Sequence, residues 1–193
     1  MNIYRQKLIN AVLFFAKETR HANMTKLMKL LNFFEFEHFN QTGYPSIGLK
    51  YFTFENGPVA KKFWLEVKDA TLPDDLKSKV AVSVKEWGQG NKEIEFTAKN
   101  NAQVDFSVFT PREKKILEKL AFIYKDETAK TMSGISHEDN MPWEITKREK
   151  GLNAEIDYLL ALDEKSEIDR EEARESLQEH FAAMKAFNTE PVK

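Results

Sequence analysis

The stretch Met24-Thr25-Lys26-Leu27-Met28-Lys29-Leu30-Leu31-Asn32-Phe33-Phe34-Glu35-Phe36-Glu37-His38-Phe39 decides the fold. Apolar side chains at 24, 27, 28, 30, 31, 33, 34, 36 and 39 fill two or three faces of a 3.6-period helix, not one stripe. A helix that apolar in a water-soluble chain is central, with other elements packed on several sides. Thr25, Lys26, Lys29, Asn32, Glu35, Glu37 and His38 are left to reach water or make polar contacts. Lys26 and Lys29 share a helix face and read as a solvated edge. Glu35 and Glu37, two apart, point to different sides and form no carboxylate pair.

Upstream, Ile3, Leu8, Val12, Phe15 and Ala16 recur at helical spacing and define a helix over 2–19. Arg20 to Asn23 link it to the central helix, with Asn23 or Thr25 as N-cap. Downstream, Thr42-Gly43-Tyr44-Pro45 is a turn cluster that ends the central helix. Leu49 to Glu55 reads as a short aromatic strand. Asn56-Gly57-Pro58 reads as the start of a third helix, with Pro58 in its first turn and Val59, Phe63 and Val67 on its apolar side. Val80, Val82 and Val84, then Ile94, Phe96 and Ala98, alternate as strands around a Gly88-Gln89-Gly90-Asn91 loop, giving a hairpin. Two strands alone are marginal, so this hairpin should lean on the helices or pair with the segment near residue 52. Val104, Phe106 and Val108 suggest a third strand.

Thr110-Pro111-Arg112-Glu113 combines a cap, a proline at the first helical position and the acidic partner of a capping box. The helix runs to about Tyr124, with Ile116, Leu117, Leu120 and Ile123 inward. A short helix over 128–135 and a helical turn from Pro142 to Lys150, closed by Gly151, follow. A last helix spans Ile168 to Phe187, and the final six residues should fray. The fold class is therefore mainly α (α+β): a compact helical domain around a central buried helix, with a small antiparallel hairpin or sheet on one side.

Composition excludes several functions. Lys plus Arg number 29 and Asp plus Glu 31, a net charge of -2, which gives no general pull toward nucleic acid or anionic membrane. With no cysteine, a disulfide, a thiolate metal site or a Cys nucleophile is impossible. No signal peptide pattern and no run of roughly 20 apolar residues appear, so a cytoplasmic protein is the default. Phosphate-loop, G-x-S-x-G and H-E-x-x-H patterns are absent. Gly88-Gln89-Gly90 lacks the third glycine of a dinucleotide fingerprint. His137-Glu138-Asp139 points three ways, and no other histidine has a spacing that converges on it. No catalytic residue, metal or cofactor is expected. Trp143 after Pro142 is either a binding anchor or a pin between loop and core.

Several segments together resemble one family. Lys26-Leu27-Met28-Lys29-Leu30-Leu31 looks like its K-L-x-K-L-L helix, followed by His38 and Gly43. Tyr51 to Val59 resembles its aromatic stretch ending in G-P-V, and Thr110 to Tyr124 its capped helix with a terminal tyrosine. Ser136-His137 and Pro142-Trp143 resemble its S-H-x-x-x-P-W element. Order and spacing are those of the Panacea domain, the SocA-like antitoxin domain, also known as phage-associated. The resemblance covers roughly residues 5 to 160. Departures are Asn32, where the family often has Tyr or a small residue, and Asn56, where Tyr is common. The 80–99 hairpin and the chain after 165 look like additions.

The resemblance implies residues 1–165 as the domain with an inserted hairpin, and 166–193 as a C-terminal helix and tail. It implies a prokaryotic or phage antitoxin that neutralises a cognate toxin by direct protein contact, and not an enzyme. The alternatives are an adaptor delivering a toxin to a protease, or a small hydrolase using His137 with Glu138. DNA and membrane are not expected partners. Tyr51, Phe54, Asn56, Gly57, Pro58, His137 and Trp143 are the expected partner-binding residues.

Overall fold

The Asn23 side chain accepts the Lys26 N–H and starts α2 (Met24–Thr42), which ends where Gly43 turns left-handed at φ 76°. A side chain at Gly43 would run into Ile168, Ser176 and Ala173, so this cap also seats the C-terminal part of the chain. The computed structural model describes residues 2–87, 91–138 and 141–186. The Gly88–Gly90 loop with its Gln89 tip, Asp139, Asn140 and the tail from Phe187 lie outside the described residues.

Helix α1 (Ile3–Glu18) packs on α2, as do α5 (Pro111–Tyr124) and α6 (Ala129–Ser136). Leu27, Leu30, Leu31, Phe34 and Phe39 of α2 are wholly buried, the central position expected from the apolar pattern. Thr110 and Glu113 form the full capping box of α5, and the Glu113 carboxylate goes on to accept Lys7 and Ser46. Arg5 bridges Glu66 and Asp75, fixing α1 to α3 (Lys61–Val67) and α4 (Asp74–Lys77). Helix α7 (Pro142–Lys150) closes at Gly151, and α8 (Arg170–Ala186) lies on α2 through Ala173. The described residues thus form eight helices and two two-stranded antiparallel sheets.

Three expectations are corrected and one open alternative is decided. Gly57–Ala60 is not a helix start but strand β2, paired with β1 (Tyr51–Phe54) in the register Tyr51 to Ala60 and Phe54 to Gly57. Pro58 is tolerated there because its partner Thr53 sends its N–H the other way, to Ala154 O at 2.9 Å, while Asn153 N donates to Thr53 O. The helix begins only at Lys61. Residues 106–108 form a 3-10 turn instead of a third strand, because the Asp105 side chain accepts the Ser107 N–H and Phe106 packs edge-on against Phe14. The hairpin of β3 (Val80–Trp87) and β4 (Asn91–Ala98) takes the first of its two expected placements, against the helices and not beside residue 52. It leans on α1 and on the α1–α2 link, where Phe96 N donates to Ala22 O. Lys26 and Lys29 are not a solvated edge: they are 0% and 1% exposed. A helix packed on every side offers its polar positions to other elements, not to water.

Glu35 is likewise enclosed. Its carboxylate accepts Ile47 N at 2.6 Å, Gly48 N at 3.0 Å and the Tyr158 hydroxyl at 3.0 Å. Burial pushes the carboxyl up to about 7, although all three hydrogen bonds favour the charged form. The loop after Gly43 is thereby tied to the middle of α2.

Candidate functional site

The β1–β2 turn, the second and third turns of α2, the end of α6 and the start of α7 meet at one place. Gly57 stands at φ 114°, a conformation open to glycine, and a Cβ there would lie 1.6 Å from Lys29 Nζ and 3.1 Å from Ser136 Oγ. Gly57 thus makes room for the Lys29 side chain. Lys29 Nζ donates to Ser136 Oγ at 2.6 Å, and Ser136 Oγ donates to Ser133 O at 3.0 Å. Burial lowers the Lys29 ammonium to about 7.

Trp143 is buried, and its indole N–H donates to Phe54 O at 3.0 Å. His137 stacks on the indole with ring centres 3.9 Å apart, and Lys147 Nζ lies 4.5 Å from the same ring. Burial, then the ammonium groups of Lys29 and Lys147, hold the His137 imidazole below its ordinary value, so it is neutral at pH 7. The imidazole and the cation on the Trp143 ring, with its bond to Phe54 O, hold the end of α6 and the start of α7 against the β1–β2 hairpin.

Two hollows border this cluster. A groove of about 690 Å³ runs between α2, α5 and α7; Asn32, Phe33, Pro58, Tyr124, Ser136 and Trp143 stand in its wall. Phe33 and Tyr124 face each other there with ring centres 5.3 Å apart. A second cleft, about 460 Å³, lies between Thr25, Met28 and Lys29 of α2 and Phe54 to Val59 of the β1–β2 hairpin, with Pro58 on both borders.

Of the expected partner-binding residues, Gly57, Pro58, His137 and Trp143 come together in this cluster. Phe54 joins it by its carbonyl, and its ring meets Trp64 edge-on. Asn56 is exposed at the turn, and its carbonyl accepts Ser133 Oγ. Tyr51 is elsewhere: it is fully buried and its ring packs on Phe36. Glu138 is exposed beside the cluster, and among the described residues no group of three His, Cys, Asp or Glu converges. The residues that sequence reading missed as site members are Lys29 and Ser136, with Phe33 and Tyr124 on the groove wall. The K-L-x-K-L-L match marked Lys29, but nothing in a helical period tells a buried lysine from a surface one.

The arrangement defines a small mainly α-helical domain in which four sequence-distant segments close on a buried lysine. The sequence matches the family model described as antitoxin SocA-like, Panacea domain, over residues 27–144, more than half of the chain, and the protein belongs to that family. No curated protein and no solved structure matches it. No described helix is long and apolar enough to cross a membrane.

Proposed function

We propose that this protein is the antitoxin of a toxin–antitoxin pair and neutralises its toxin by direct protein–protein contact in the cytoplasm. The observation that carries this reading is the match to the SocA-like antitoxin family over the segments that build the lysine cluster. The contact surface is the mouth of that cluster: the Asn56 turn, His137, and the Phe33–Tyr124 wall of the groove. Exposed polar loops flanked by aromatic rings are the composition that interfaces favour, and a stable complex buries at least ~1,000 Å² in total.

The experiment is co-expression with the small toxic reading frame expected beside this gene, scoring growth. Wild type should rescue. Asn56→Ala, His137→Ala and Tyr124→Ala should each weaken rescue while the helical circular dichroism spectrum is kept. Three folded variants that neutralise as well as wild type would move the surface elsewhere. A toxin whose half-life falls in the presence of this protein would instead favour delivery to a protease.

A further inference from the structure

Two lysines of α2 are closed off from water, and the fold treats them differently. The Lys26 ammonium donates to three carbonyls, Arg20 O at 2.8 Å, Lys125 O at 3.2 Å and Glu127 O at 2.8 Å. Each of its protons is used, and its charge sits at the C-terminal end of α5, where the helix dipole favours a cation. The Lys29 ammonium has one acceptor, Ser136 Oγ. Among the described residues it has no second hydrogen-bond partner and no carboxylate within ion-pair distance. An enclosed ammonium with two unused N–H groups and no counter-charge is unfavourable, and a methionine of similar length would fill the space without that penalty. Structural need accounts for Lys26 but not for Lys29.

The surroundings specify what would complete it. Gly57 leaves the ammonium its space, and Lys29 stands in the wall of the 460 Å³ cleft between α2 and the β1–β2 hairpin. Glu55, on the turn, is the other charged residue of that wall. His137 is held neutral, and Lys147 lies over the Trp143 ring. Glu55 is not within ion-pair distance of Lys29, so among the described residues the one cation of that wall lacks a single negative partner. A phosphodiester backbone is read by several cations, and the chain's net charge of -2 supplies no such field.

We propose that the Lys29 ammonium is the receptor for one carboxylate of the toxin, carried on a segment that enters the cleft between α2 and the β1–β2 hairpin. This rests on the antitoxin reading. The incoming oxygen would take the unused N–H groups in charge-assisted hydrogen bonds and supply the missing counter-charge. Of the titratable groups, His137, the C-cap of α6, feels the Lys29 charge, and Glu55 of the turn lines the same cleft.

The test has two arms, both on the full chain. In the first, the Lys29 Cε and Nζ resonances are followed through a pH titration in chloride, then with acetate as the carboxylate probe. Acetate should raise the Lys29 midpoint saturably and leave Lys26 unchanged; identical midpoints in acetate and chloride, or a larger effect of inorganic phosphate, overturn the carboxylate assignment. In the second, affinity for the toxin is measured for wild type, Lys29→Met and Lys26→Met, with folding followed by circular dichroism. Lys29→Met should stay folded and bind at least tenfold more weakly. Unchanged affinity in Lys29→Met overturns the carboxylate site alone. A wild type that binds no toxin overturns the antitoxin reading, and the toxin contact with it.

Discussion

Replacing Lys29 by methionine should stabilise the isolated protein at pH 7, and the advantage should shrink as pH rises. In the folded chain burial holds the ammonium at about 7, against an ordinary 10.5 when the chain is unfolded. Between those values the unfolded state carries a proton that the folded state does not. Stability therefore rises with pH through the window, by about 1.4 kcal/mol per pH unit once the folded group is neutral. Starting half-titrated at pH 7, wild type should gain about 2 kcal/mol by pH 9 from this residue. Lys29→Met lacks the gain. It also loses the hydrogen bond to Ser136, a loss of about 1 kcal/mol that does not depend on pH. The assay is urea unfolding of both chains at pH 7, 8 and 9, below the range where Tyr51 and Tyr158, both pushed well above 10, begin to ionise. The difference between the two chains should move by about 2 kcal/mol in favour of wild type. Parallel curves would refute the argument, showing that Lys29 keeps an ordinary affinity for its proton and is not enclosed without a partner.

Other substitutions test other parts of the fold. Leu30→Ala, at a wholly buried position, should lower stability by ~3 kcal/mol or more in urea titration. Phe33→Ala should cost less, because Phe33 is only partly buried, on the groove wall. Glu35→Gln should remove a stabilisation that exists at low pH. The folded carboxyl is at about 7 against an ordinary 4.5, so the folded state binds the extra proton and stability falls as pH rises between them. The gap between wild type and Glu35→Gln should change by about 2–3 kcal/mol from pH 5 to pH 8, and the comparison cancels the opposing slope of His180, which burial lowers to about 4. Gly57→Ala should lower the thermal midpoint by more than Gly134→Ala, since a Cβ at 57 meets the Lys29 ammonium at positive φ and one at 134 meets nothing within 4 Å.

The central helix was legible because apolar residues on several faces have one physical solution, burial on several sides. The capping box at Thr110 was legible for the same reason: its residues satisfy local backbone donors wherever the rest of the chain lies. The errors arose where a long-range partner decided the outcome. Pro58 has the chemistry of a helix start, yet strand pairing wins because the 151–156 segment takes both backbone hydrogen bonds of Thr53, including the N–H donor that proline lacks. Lys26 and Lys29 have the period of a surface edge, yet acceptors about a hundred residues away enclose them. The meeting of Gly57, Ser136 and Trp143 could be inferred only from the family motif; spacing alone does not bring residues 79 positions apart together.

The position of Lys29 on α2 bears on how a partner would be held. Leu27, Leu30 and Leu31 on the same two turns are wholly buried, so the lysine backbone is as fixed as the core itself. Trp143, stacked with His137 and bonded to Phe54 O, fixes the opposite bank. A binding group on such elements loses little freedom when a ligand arrives, so more of the contact energy remains as affinity. Asn56, by contrast, sits on an exposed two-residue turn that can adjust to the shape of what enters. A rigid cation beneath an adaptable rim separates the two tasks. The lysine requires one charge at one point, while the rim accommodates the residues around it. On this reading, altering the rim should change which toxin is recognised, and removing the cation should weaken every toxin that presents a carboxylate at that point. Affinities of Asn56 and Lys29 variants for two unrelated toxins distinguish the cases: opposite effects of an Asn56 change on the two toxins, with a shared loss in Lys29→Met, fit the division, and a loss confined to one toxin in both variants rejects it.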